Sequence, residues 1–289
     1  MFTEEPQQQS TPLAEEPAAP LTPVAGHELQ PPPARPMSFE AWVDVAKAMG
    51  LWAFSVLMIL IVPTVFALPY LIYRIVQAGP PSPQALATDK GLIFYSVLGI
   101  IPAHLLTLTV VWMVITEGGR RPFWKTIGFE WPENLGPMMS TILSILLAIL
   151  LFGLAFAITM LYGEKKTDLD IMIESSLYAR VATAFVAVAT APLAEEMIYR
   201  GVLYRALEKA GGMGVAIPVV TLLFAGVHVF QYRNNLAVIT VITLLSVMLT
   251  VVRAATGKLL PAFIIHLVFN GIQSVLIVVG GFLDKDLLK

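Results

Sequence analysis

The 289-residue chain has no cysteine. That excludes a disulfide framework, a thiolate nucleophile and any cysteine-ligated metal centre. Charge is scarce too: Asp, Glu, Lys and Arg make up 13% of the residues, and the formal net charge is −2 with no long basic tract. Nothing in that balance favours nucleic acid or an acidic partner. The four histidines are His27, His104, His228 and His266, too few for a purely histidine-ligated site but enough for a mixed histidine and carboxylate one. Apolar residues fill the space left by charge. At 57% hydrophobic and a mean hydropathy of +0.76, the chain exceeds an ordinary soluble domain of its length. The composition reads as an all-α integral membrane protein, a polytopic transmembrane helix bundle in contact with membrane lipids.

Residues 1–36 are rich in Pro, Gln, Glu and Ala and have no basic start followed by an apolar run. They read as a disordered tail rather than a signal peptide, with His27 incidental to it. Residues 37–289 read as a transmembrane helical domain of about seven spans, six to eight. The first is expected over Leu51–Val76, bent at Pro63 and Pro69 and preceded by an amphipathic interfacial stretch, Phe39–Met49. Further spans are expected over Gly91–Thr116, Met138–Tyr162 and Tyr178–Leu207, then a fifth ending near Tyr232, Leu236–Val252 and Leu260–Phe282. The connectors after the first and third spans read as polar loops. That after the second, Glu117–Pro137, interleaves Arg120, Arg121 and Lys125 with aromatics, which suits the headgroup level and requires nothing more. A small excess of Lys and Arg puts the N-terminus inside, and with it the Glu195 end of the fourth span; this would suit a plasma (inner) membrane protein whose site opens to the cytoplasm.

The chemistry gathers between about residues 178 and 282. The stretch Ala191–Leu207, APLAEEMIYRGVLYRAL, sets Glu195, Glu196 and Arg200 at the end of a long apolar run. A charge at the centre of a membrane helix costs roughly 2.5 to 3.5 kcal/mol on insertion scales, so such residues usually face protein or a wet cavity. Glu196 and Arg200 stand at i and i+4, the favourable order for a helical ion pair, and could be kept only to make a long helix tolerable. Glu195 points about 100° away from Glu196 and cannot share that partnership equally. Unpaired, it would be driven towards the range useful to a general base. Two later spans offer partners at the same spacing: Phe224 with His228, and His266 with Asn270. An acid, two imidazoles and an amide are the parts needed to add water to an amide carbonyl and hold the oxyanion. Neither the HExxH of zinc peptidases nor the GxSxG of serine hydrolases is present. His104, lying just after Pro102, reads as a hydrogen-bonded packing residue.

These residues resemble the motifs of the CPBP family, intramembrane peptidases related to the type II CAAX prenyl endopeptidases. Glu195, Glu196 and Arg200 with Gly201 and Leu203 are similar to its EExxxRGxL. Phe224 to His228 is similar to its FxxxH, and His266 to Asn270 to its HxxxN, in the family's order. The resemblance covers about Thr183 to Gly271. It implies an endopeptidase that cuts a peptide or membrane-protein substrate, with prenylated CAAX proteins the substrates of one branch. Carried over, Glu195 activates water with help from His228, His266 and Asn270 form the oxyanion pocket, and Glu196 and Arg200 support the site. Both glutamate-dependent and metallopeptidase mechanisms have been ascribed to the family. No cofactor is required by the sequence, although Glu195, His228 and His266 could supply a carboxylate and two imidazoles to one zinc ion.

Two other classes use the same residues differently. A proton-coupled transporter would use them as a relay, but no inverted repeat is visible. A non-catalytic membrane interaction or immunity protein would keep them only to lock helices together, each interhelical hydrogen bond being worth roughly 0.6 to 2 kcal/mol.

Overall fold

A computed structural model describes residues 38–162, 165–232 and 235–283. The expected tail, His27, Arg35 and the charged C-terminal end lie outside the described residues. All regular elements among the described residues are helical. Six helices are long and apolar enough to cross a membrane, and a seventh apolar segment, Met213–Val229, is shorter. The first of them leaves most of its apolar surface exposed, including Leu60, Val65, Ile72 and Val76. In water such a surface would be untenable, so the chain is an integral membrane protein.

Helix α1 spans Phe39–Ala78 and absorbs the stretch expected to lie separately at the interface. The Ser38 side chain caps it by accepting from the Ala41 amide. Ala41 and Ala48 are buried, which ties the first turns to the bundle, and helicity continues through Pro63 and Pro69. After the short α2 (Pro83–Ala87), α3 runs over Lys90–Ile115 and returns along α1. A methyl group at Gly99 would lie 2.6 Å from the Pro63 Cα, so the two backbones approach as only a glycine allows.

The connectors hold more structure than their composition suggests. Residues 117–135 contain α4 (Phe123–Ile127), and Ile127 is buried against Gly201. The Gly128 carbonyl accepts from the Leu259 amide at 2.7 Å, and Glu130 pairs with Lys258 at 2.7 Å. This segment is therefore a wedge in the core rather than only a headgroup-level strap. Beyond α5 (Gly136–Tyr162), the stretch expected as a loop contains α6 (Asp168–Ser175). The cause is a reciprocal cap between Thr167 and Asp170.

The fourth span, Leu177–Gly211, is 35 residues long. At 1.5 Å per residue it reaches roughly 50 Å, beyond the hydrocarbon thickness of about 30 Å. It is built as α7 (Leu177–Ala189), α8 (Ala191–Glu196), a π-helical segment (Met197–Leu203) and α9 (Tyr204–Gly211). Pro192 restarts the helix at the break by Thr190, because it has no amide to donate to the preceding turn. All seven π-helical residues are buried, so this segment is enclosed on every side. Helices α10 (Met213–Tyr232), α11 (Leu236–Thr256) and α12 (Leu260–Leu283) complete the chain. Helix α12 packs on α5 and α7, and α10 on α11.

Candidate active site

The site is anchored by a guanidinium sealed from solvent. Arg200, in the π-helical segment, is fully buried, and so is Glu196 at the end of α8. Arg200 donates from Nη1 to Glu196 Oε1 at 2.9 Å, from Nη2 to the Ser246 hydroxyl and carbonyl, and from Nε to the Thr250 hydroxyl. Its plane lies 4.7 Å from the centroid of Phe224. A buried ion is tolerable only when its donors are used, and the planar fork here reaches α8 and α11 at once. Glu196 is shared further: its Oε1 accepts from His266 Nδ1 at 2.8 Å. Its Oε2 is buried without a partner among the described residues. Glu196 thus joins Arg200 to α12 and does more than balance a local charge.

Glu195 faces the other way. Its side chain retains 24% of its exposure and lines a cavity of about 830 Å³. One of its carboxylate oxygens, Oε2, is 3.7 Å from His266 Nε2. His266 is therefore held between two consecutive acids, one on each ring nitrogen. His228 and Asn270 line the same cavity. The His228 Nδ1 donates to the Phe224 carbonyl at 2.8 Å, and its ring lies tilted against Phe224 and parallel to Tyr232. The Asn270 Nδ2 donates to the Ala187 carbonyl at 2.9 Å, which fixes the amide and leaves its second N–H without a partner among the described residues. The acceptor at His266 Nδ1 is a carboxylate oxygen that also receives an Arg200 N–H, and the acceptor at His228 Nδ1 is a backbone carbonyl. Both rings therefore carry their first proton on Nδ1, and each turns Nε2 to the cavity.

All seven residues singled out in the sequence, Glu195, Glu196, Arg200, Phe224, His228, His266 and Asn270, meet in this one region. The ion-pair contact of Glu195 is with His266, whereas the resemblance gave it His228 as its helper. Four further participants were not foreseen. Ser246 and Thr250 stand at i and i+4 on α11, a polar pair on one face of an apolar span that could have signalled Arg200's partners. Arg253, expected in a connector, is a buried part of α11 that donates to the Arg200 carbonyl at 3.2 Å. His104 makes the expected packing bond, Nδ1 to the Thr190 hydroxyl at 2.9 Å, yet it also lines the cavity.

Glu195, His228 and His266 do not fit a metal as they stand. Among the described residues no group of three His, Asp or Glu side chains converges to hold a metal ion. A separation of 3.7 Å is compatible with two ligands of one ion, and an Nδ1 committed to an acceptor is usual for a ligating imidazole; what is missing among the described residues is a third side chain converging with Glu195 and His266.

Comparison with known proteins gives one family match. Residues 176–272, the segment from α7 into α12, match the family described as type II CAAX prenyl endopeptidase Rce1-like. No curated protein and no solved structure matches the chain. The match implies a protease and supports an intramembrane CAAX-type endopeptidase in general. Over a segment that supplies part of the cavity wall, the chain is thus similar to the Rce1-like type II CAAX prenyl endopeptidases, consistent with a CPBP family intramembrane peptidase.

Proposed function

We propose that the protein is a glutamate-dependent intramembrane endopeptidase in which Glu195 activates the attacking water. The observation that carries this reading is the 3.7 Å approach of Glu195 to His266 Nε2 inside the cavity. Glu196 and Arg200 already form a neutral buried pair. A proton on His266 then balances Glu195, so that all four groups can be ionised with no net charge left in the protein interior.

The reaction follows from that balance. His228 Nε2 accepts one O–H of a water while Glu195 takes the proton of the other, and the hydroxide adds to the scissile carbonyl carbon. Negative charge moves from Glu195 to the carbonyl oxygen, where His266 Nε2–H and the second Asn270 N–H receive it. It therefore stays beside His266 throughout. Collapse of the tetrahedral intermediate breaks the C–N bond, and Glu195 returns its proton to the leaving nitrogen. The immediate products are a carboxylic acid and an amine, and transfer of the acid's proton to the amine leaves a carboxylate and an ammonium.

The cavity sets this polar wall against apolar residues such as Val97, Phe152, Leu245 and Phe269. That lining suits a peptide carrying a lipid, so a prenylated CAAX-like protein is the substrate class we favour, with the site open to the cytoplasmic face. The test uses purified protein in lipid vesicles and a fluorescence-quenched peptide with a farnesylated CAAX end. Cleavage that persists in a chelator supports the reading. Absence of cleavage, or cleavage abolished by the chelator and restored by zinc, would contradict it.

A further inference from the structure

One cavity-lining group is left unused by this mechanism. Tyr199 sits within the EExxxR stretch, four residues after Glu195, and is 5% exposed. Its ring is fixed edge-on against Phe224 at 5.0 Å between centroids. On its far side, the Trp52 indole of α1 donates from Nε1 to the Tyr199 hydroxyl at 3.2 Å. An indole N–H can only donate, so the phenol oxygen is the acceptor in that contact. The proton of the phenol must then point elsewhere, and among the described residues no side chain or carbonyl accepts it. Tyr199 and Glu195 line the same cavity.

The chamber has an imbalance that gives this proton a use. Glu195 is an acceptor, and in this mechanism so is the His228 Nε2 that faces the cavity. Of the groups this mechanism uses, only the second Asn270 N–H and the His266 Nε2–H are donors to the oxyanion. Building on the endopeptidase reading above, we propose that the Tyr199 hydroxyl, aimed by Trp52, is an additional hydrogen-bond donor to the oxyanion formed at the scissile carbonyl. Trp52 is a positioning residue in this scheme. It occupies the phenol oxygen's lone pair and so restricts where the O–H can turn.

The experiment compares wild type with Tyr199→Phe, Trp52→Phe and Glu195→Gln on the farnesylated quenched peptide, reading kcat and KM separately. Thermal midpoints and affinity for a peptidyl phosphonate, a mimic of the tetrahedral oxyanion, are read beside them. Loss of one oxyanion donor lowers kcat by about 10²- to 10³-fold. Tyr199→Phe is expected to lose about 10²-fold in kcat and a similar factor in phosphonate affinity, with KM and thermal midpoint nearly unchanged. Trp52→Phe is expected to show a smaller loss of the same kind. Unchanged kcat and phosphonate affinity in Tyr199→Phe, with Glu195→Gln inactive, overturns the role of Tyr199 and leaves the endopeptidase standing. So does a loss of kcat matched by a loss of stability in both aromatic variants, since packing would then explain it. Full activity in Glu195→Gln, or neither cleavage nor phosphonate binding by wild type, counts against the endopeptidase and the donor together.

Discussion

Glu196 and His266, 70 residues apart in sequence, meet at 2.8 Å through Oε1 and Nδ1. The contact ties α12 to the helix that carries Arg200, so the support of the site and the orientation of its histidine are one structure. A ring held this way keeps its Nε2 on the cavity side without further contacts.

Removing either partner of the buried Glu196–Arg200 pair should destabilise strongly. Glu196→Gln and Arg200→Gln should each cost about 3 to 5 kcal/mol, because an unpaired ion is left in the interior. The double variant should cost clearly less than the sum. Denaturant unfolding in detergent micelles measures this, and strict additivity would contradict the account.

Two glycines should respond differently to a methyl group. At Gly201 the new carbon would meet the Ile127 side chain, Cγ1 at 2.6 Å and Cδ1 at 2.8 Å. At Gly99 it would meet the Pro63 Cα at 2.6 Å, which cannot rotate away. Overpacking of this kind costs about 1 to 3 kcal/mol. Combining Gly201→Ala with Ile127→Ala should be less harmful than the two losses added. Combining it with a substitution remote from Ile127 should be additive. Gly99→Ala should separate α1 from α3, read as faster amide exchange along both.

Acid should loosen the wedge that carries Ile127. The Lys258 ammonium, by its hydrogen bond and its charge, holds the Glu130 carboxyl below its ordinary value of 4.5. A carboxyl depressed in the fold contributes above its unfolded value, and the contribution fades as pH falls through the lower folded value. Exchange at the Leu259 amide, which donates to the Gly128 carbonyl, reports the wedge. Wild type should be better protected than Lys258→Met near neutrality, and the two should converge under acid conditions below about pH 4. A difference independent of pH would count against the link.

Much of the site could be read from sequence because its residues sit at helical spacing in apolar spans. Glu196 with Arg200, Phe224 with His228 and His266 with Asn270 each share a face, and ionisable groups in such spans need partners. The all-helical membrane fold followed from the lengths of the apolar runs. The break at Thr190 and the π-helical segment were not legible, since both depend on how neighbours close around Met197–Leu203. Nor was the burial of Arg253 or Ile127. A basic residue at a span's end and an isoleucine in a polar connector look alike in sequence whether they snorkel or pack. His104 and Tyr199 carry no such signal in sequence, because one reads as packing and the other as a lone aromatic on an apolar helix. Only the convergence of α1, α3 and the fourth span brings them to the chamber.

The central claim is that Glu195 moves the water's proton, and one substitution tests it. Glu195 lines the cavity and, among the described residues, its one charged contact is the 3.7 Å approach to His266, so Glu195→Gln should leave the fold intact. Initial rates of farnesylated-peptide cleavage by the purified variant in vesicles should fall by roughly 10³-fold or more, since the amide cannot accept the proton. Its thermal midpoint should match that of the wild type. Cleavage at the wild-type rate by Glu195→Gln would contradict the account.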